Sequence, residues 1–180
     1  MAKPKVASDW MAGCAGCHMS LLDIDERILQ IVEAVDIRAT PITDLKEPDE
    51  EGVDVGILEG AVNLTTNEEV AHRMRKRCKI LVALGDCAVF GGVVAMRNFY
   101  KMDEALRRAY VETESTDSEG KIPSDPELGR PTQVRALKDV VPVDVHIPGC
   151  PPDPDVIFYA LSELAAGRIP EIKDERLHWH

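Results

Sequence analysis

Cysteine is the residue type on which this chain's chemistry turns. Four of its five cysteines fall in three separated segments: C-A-G-C at Cys14 and Cys17, L-G-D-C at Cys87, and I-P-G-C-P-P at Cys150. A cubane iron–sulfur cluster needs four thiolates approaching from different directions, and three loops brought together by a fold can supply them. Electron transfer is the chemistry such a set would serve. Tetrahedral zinc also takes four thiolates, although its sites more often use two local C-x-x-C pairs, and ligand softness does not separate the two. A thioredoxin-like redox pair would account for Cys14 and Cys17 but leave Cys87 and Cys150 without a role. Gly13 and Gly16 leave backbone amides free to donate toward sulfur. Cys78, between a basic helix and an apolar strand, reads as a core thiol.

For these side chains to meet, the elements between them must deliver the three segments to one place. Residues 4–11 read as a strand ending just before Cys14, and 19–35 as a helix with Leu21, Leu22, Ile28, Ile31, Val32 and Val35 along one face. Residues 36–45 suit an edge strand, because Pro41 makes a poor central one. A buried strand over 53–62 precedes a helix over 66–77, which Thr66 could cap and which ends in a run of positive charge. Residues 79–85 (KILVALG) form the clearest strand. Helical stretches are expected over 89–100 and 103–110, a last strand over 143–147, and a last helix over 155–166, closed by Gly167. Strands alternating with helices predict an α/β fold with a mainly parallel sheet covered on both faces. In such sheets sites gather beyond the carboxyl ends of the strands, and Cys14, Cys87 and Cys150 each follow a predicted strand.

The 180 residues suffice for one cluster-binding domain, 1–180, with a full core. Residues 112–130, acidic and rich in Ser, Pro and Gly, read as a surface insertion. A net charge of −11 and only 4% aromatic residues argue against a nucleic-acid partner. No apolar run approaches the roughly 20 residues that span a bilayer, so no direct membrane span is expected. The opening MAKPKVASDWMAG shows neither a hydrophobic signal region nor a twin-arginine export signal. A cytoplasmic location follows, where structural disulfides are uncommon and an odd cysteine count fits four ligands and one spare.

C-A-G-C-H-M-S, E-G-A-V from Glu59, G-D-C-x-x-x-G-G from Gly85 to Gly92 and P-G-C-P-P from Pro148 together resemble the small subunit of [NiFe]-hydrogenases, over roughly residues 5–167. The related cluster-bearing subunit of respiratory complex I is less similar, since it sets two cysteines side by side where this chain has a spaced pair. The run C-A-G-C-H-M-S-L-L-D-I-D-E is most similar to cytoplasmic, NAD-reducing bidirectional enzymes. The resemblance implies a flavodoxin-like three-layer domain holding one [4Fe–4S] cluster, with Cys14, Cys17, Cys87 and Cys150 as its ligands. It implies a large subunit carrying the nickel–iron centre, and diaphorase subunits carrying further Fe–S clusters and flavin. The implied reaction is reversible H₂ oxidation coupled to NAD(P) reduction, the chain alone not activating hydrogen. FMN in this chain is not favoured, because C-A-G-C occupies the first strand–helix turn, where a phosphate-cradling loop would lie. The alternatives are a cluster subunit of a related membrane-associated hydrogenase or complex I-like oxidoreductase, or a zinc-binding interaction module.

Glu59 matches the family's E-G element at the end of an apolar strand. A carboxylate there would repel an anionic cluster unless hydrogen-bonded or protonated. It could relay protons, orient backbone, or ligate an oxidised cluster; the plain alternative is a strand-end glutamate facing water. His18, beside a ligand, could tune the cluster or carry protons, or be an ordinary loop histidine. His72, His178 and His180 read as surface residues.

Overall fold

The computed structural model describes residues 2–44, 50–117, 119–125 and 127–173. Its centre is two apolar strands, β3 (Val53–Glu59, VDVGILE) and β5 (Cys78–Leu84, CKILVAL), whose near-continuous hydrophobicity requires cover on both faces. They lie in a five-stranded sheet with β1 (Lys5–Trp10), β2 (Asp36–Ala39) and β7 (Val145–Ile147), ordered β2-β1-β3-β5-β7 and parallel at every pairing. The chain winds outward from β1 to β2, then returns past β1 and winds the other way. The sheet therefore reverses its winding between β1 and β3, and the α/β expectation holds.

Helices α1 (Gly16–Leu22), α2 (Ile28–Ala34) and α6 (Pro154–Ala165) cover one face, packing Ile24, Ile31, Ile157 and Leu164 on Val55, Ile57, Val82 and Leu84. On the other, α3 (Thr65–Arg77) and α4 (Gly85–Phe90) bring Ala71, Met74, Ala88 and Val89 onto Leu58, Leu81 and Ala83. Asp153 caps α6 by accepting the amide of Asp155, with Pro154 in the first helical turn. Beyond the main layers lie an exposed 3₁₀ segment over Gly92–Phe99 and helix α5 (Met102–Tyr110). Described residues within 112–130 form no helix or strand.

Several local features differ from the sequence reading. The helix expected over 19–35 is two short helices, broken around Asp25, whose φ of 60° takes the left-handed conformation that aspartate tolerates. The strand expected over 53–62 ends at Glu59; Gly60 (φ 92°) turns the chain into a separate strand, β4 (Val62–Leu64). β4 pairs antiparallel with β6 (Pro131–Arg135), a ribbon that the sequence reading lacks. Thr66 does not cap α3: the helix begins at Thr65, after an extended Leu64, and carries no side-chain cap bond. The helix expected over 89–100 starts earlier, at Gly85, and continues as the 3₁₀ segment. β2 is the edge strand expected, and ends two residues before Pro41; Leu45 lies outside the described residues, as do His178 and His180.

Candidate metal centre

Register brings the carboxyl ends of four strands level. Trp10 lies opposite Glu59, Glu59 opposite Leu84, and Leu84 opposite Ile147, one row across the sheet. Just past that row three of these strands release a cysteine segment: β1 leads to Cys14 and Cys17, β5 to Cys87, and β7 to Cys150. Cys14 lies in the turn before α1 and Cys17 in its first turn, while Cys87 sits on α4 rather than in a loop.

The segments are tied to one another by bonds that do not involve sulfur. Asp86 donates its amide to Gly149 O at 2.9 Å and accepts the Gly149 amide on Oδ1 at 2.7 Å. Ser20 Oγ donates to Pro152 O at 2.6 Å, joining α1 to the Cys150 turn. Ala12 and Ala61 exchange backbone bonds, and Met11 donates to Glu59 O, fixing the Cys14 loop against the end of β3.

Cys14, Cys87 and Cys150 all lie near enough to Cys17 to act on its thiol. Burial pushes the Cys17 thiol far above its ordinary range, and Glu59, Cys87, Cys14 and Cys150 push it the same way. Burial also raises Cys87, helped by Cys150 and Cys14 and opposed by backbone hydrogen bonds from Val94 and Val93. Cys14 and Cys150 are exposed, Cys87 is half-buried and Cys17 is buried. Glycine is required around them: a Cβ on Gly85 (φ 83°) would come 2.2 Å from Cys17 Sγ, and one on Gly92 (φ 52°) 2.9 Å from Cys87 Sγ. Four soft donors, with the Val93 and Val94 amides aimed at the Cys87 sulfur, fit an iron–sulfur cluster. Among the described residues, no group of three or more His, Cys, Asp or Glu could hold a single metal ion.

Cys78 stands apart at the amino end of β5, buried behind Met74 and Gly56, with burial again raising its thiol. Glu59 and His18 are both buried, at 2% and 1% exposure, so neither the water-facing glutamate nor the loop histidine describes them. Glu59 Oε2 accepts the His18 backbone amide at 2.9 Å and lies 2.5 Å from His18 Nδ1. His72 is exposed on α3. Sequence reasoning missed Ser8, Ser20, Thr40 and Asp86; Ser8 alone carried a signal, as a hydroxyl inside a strand that must be covered.

A family model described as NADH ubiquinone oxidoreductase, 20 Kd subunit, matches residues 14–164. The chain is 41% identical over 169 residues to the NAD-reducing hydrogenase HoxS subunit delta of Cupriavidus necator, covering 92% of this chain and 80% of that one. It is 38% identical over 170 residues to a subunit of the F420-non-reducing hydrogenase vhu of Methanocaldococcus jannaschii, covering 93% of this chain but only 58% of that longer protein. A chain in the crystal structure of an NAD⁺-reducing [NiFe]-hydrogenase in the H₂-reduced state superposes with a TM-score of 0.93 at 36% identity, covering 99% of both chains. A [NiFeSe]-hydrogenase chain from Dm. baculatum, at 19% identity and a TM-score of 0.60, shares the fold, with 98% of this chain and 69% of that one covered. On the match over 14–164 and the 41% identity, the chain belongs to the NADH ubiquinone oxidoreductase 20 Kd subunit family, among its hydrogenase-type members.

Proposed function

We propose that this chain is the electron-transfer small subunit of an NAD(P)-reducing [NiFe]-hydrogenase, with Cys14, Cys17, Cys87 and Cys150 holding one [4Fe–4S] cluster. The observation that carries it is the meeting of three cysteine segments beyond one row of strand ends, with Cys14, Cys87 and Cys150 near enough to Cys17 to act on its thiol. When bound, such a cluster exchanges single electrons with little structural change. The chain's own part is to hold it between two partners: a large subunit with the nickel–iron site and a diaphorase module with further clusters and flavin. Exposed Cys14 and Cys150 sit where a partner can cover them. Domain limits of 1–180, with 112–130 as a surface insertion, belong to the same reading.

No helix among the described residues is long and apolar enough to cross a membrane, which accords with a cytoplasmic complex. The zinc reading is less well supported, because zinc sites more often use two local C-x-x-C pairs, whereas only Cys14 and Cys17 are so spaced in this chain. FMN in this chain remains disfavoured, since C-A-G-C takes the β1–α1 turn. The test is to purify anaerobically the wild-type complex and one with Cys14, Cys17, Cys87 and Cys150 replaced, and to compare iron, acid-labile sulfide, zinc and extractable flavin, so that the diaphorase's own clusters and flavin cancel. About four irons and four sulfides per small-subunit cluster site, with an EPR signal on reduction, are expected by the stoichiometry of the cubane. Zinc without iron in the isolated chain, or a complex whose NAD-linked hydrogen oxidation survives loss of these cysteines, would overturn it.

A further inference from the structure

A polar path leads inward from beside the thiols, starting at Glu59, and the proposed cluster function uses none of it. Glu59 Oε2 faces His18 Nδ1 at 2.5 Å, and the other ring nitrogen, Nε2, lies 3.1 Å from Ser8 Oγ. Ser8 Oγ and Thr40 Oγ1 are hydrogen-bonded at 2.9 Å, and Thr40 Oγ1 also receives the Ile42 amide at 3.4 Å. The path thus crosses from β3 through α1 and β1 to the end of β2, following the β3-β1-β2 order of the sheet. The Trp10 ring meets the imidazole edge-on, with centroids 5.7 Å apart and planes at 79°.

Ser8, His18 and Thr40 also line a cavity of about 220 Å³ whose other walls are mostly aliphatic, among them Val6, Leu21, Ile57 and Leu84. Such walls offer the ring no alternative hydrogen-bond partner. A buried polar network is strengthened by that low-dielectric setting and is intolerant of any member left unpaired. An imidazole held at one nitrogen only can pivot away; held at both, it has one orientation.

We propose that Ser8 and Thr40 are positioning residues for the Glu59 carboxylate, acting through the His18 ring beside the cluster site. Thr40 fixes the Ser8 hydroxyl, Ser8 fixes Nε2, and the ring then presents Nδ1 to Oε2, drawing off part of the carboxylate's charge. Glu59 lies near enough to matter electrically, since its Oε2 accepts the backbone amide of His18, the residue that follows Cys17, at 2.9 Å. The inference rests on reading the four cysteines as cluster ligands.

The experiment is an EPR-monitored redox titration of the intact complex at one fixed pH. Its variants are Ser8→Ala, Thr40→Val, the pair together, and Thr40→Ser. Ser→Ala and Thr→Val nearly conserve volume, and the fold of each variant is checked by circular dichroism before titration. Each of Ser8→Ala and Thr40→Val is expected to lower the cluster's midpoint potential, because a freed ring leaves unshared negative charge beside an incoming electron. The double variant should shift no further than Ser8→Ala alone, because Thr40 works only through Ser8, and Thr40→Ser should keep the wild-type value. Glu59→Gln should abolish the effect of Ser8→Ala. Unchanged potentials in those two single variants, additive shifts in the double, or a Ser8→Ala shift that persists in the Glu59→Gln background would overturn the proposal. A wild-type complex holding no more iron and sulfide than one in which the four cysteines are replaced would instead overturn the cluster reading, and this proposal with it.

Discussion

Cys78 and Cys87 stand nine positions apart in sequence, one opening β5 and the other lying just past its end, which makes them a controlled pair. Cys87→Ser should lose or convert the cluster, because a harder oxygen donor binds iron–sulfur poorly. Cys78→Ser should leave the cluster EPR signal intact while costing about 1–2 kcal/mol in urea unfolding, since a hydroxyl replaces a buried thiol. The metal-free thiols also set a pH dependence. The raised Cys17 and Cys87 keep their protons in the folded chain, whereas the unfolded chain releases them above about pH 8.5. The unfolded state then binds fewer protons, so folded stability is full below that pH and falls as pH rises above it. The urea midpoint of the metal-free chain should therefore drop between about pH 7.5 and 9.5 by linkage, and drop less in Cys17→Ala. The cysteines were legible in the sequence because ligand type and spacing survive without coordinates. The partner of Glu59 was not, because His18 comes from 41 residues away and only the β1–β3 pairing brings it there.

At the scale of elements, β3 and β5 were legible because a strand buried on both faces reads as an unbroken apolar run. The β4–β6 ribbon was not: β4 has three residues, and its partner begins with a proline far along the chain. The break at Asp25 escaped because apolar spacing runs on through it. Between β5 and α4, Gly85 carries a sharp expectation. Gly85→Ala combines a left-handed φ with a Cβ 2.2 Å from Cys17 Sγ, so iron content should fall severalfold while Gly167→Ala, with nothing within 4 Å, keeps its cluster. Far from the site, Asp144 Oδ2 accepts from Arg75 Nη1 at 2.6 Å and from the Leu81 amide at 2.7 Å, tying the end of α3 to β5 and the start of β7. Burial pushes its carboxyl up, but the Leu81 amide and the Arg75 guanidinium outweigh this and hold it below the usual range. Asp144→Ala should cost about 1 kcal/mol in chemical denaturation, a modest figure for a half-exposed clamp. Its contribution is present above about pH 4 and fades as acid protonates the carboxyl.

At the scale of the whole molecule, exposed apolar side chains flank the cysteine segments in sequence, with Trp10 and Met19 around Cys14 and Cys17, and Phe90, Val93, Met96 and Phe99 after Cys87. Exposed apolar residues of this kind suit an interaction surface, and complex formation should slow hydrogen exchange in residues 12–20 and 147–153. Unchanged exchange in both segments would move the partner elsewhere. The cavity beneath His18 has a consequence of another kind. The pocket is half-open, and unfolding removes the imperfect packing along its walls, so compression favours opening where that packing lies. Under hydrostatic pressure the layer of α1, α2 and β2 should loosen before the β3–β5 centre. High-pressure NMR should show amides in that layer shifting nonlinearly at pressures that leave Leu58 and Leu81 unmoved. Val6→Ile, adding one methylene to the cavity wall, should raise the pressure at which that loosening begins.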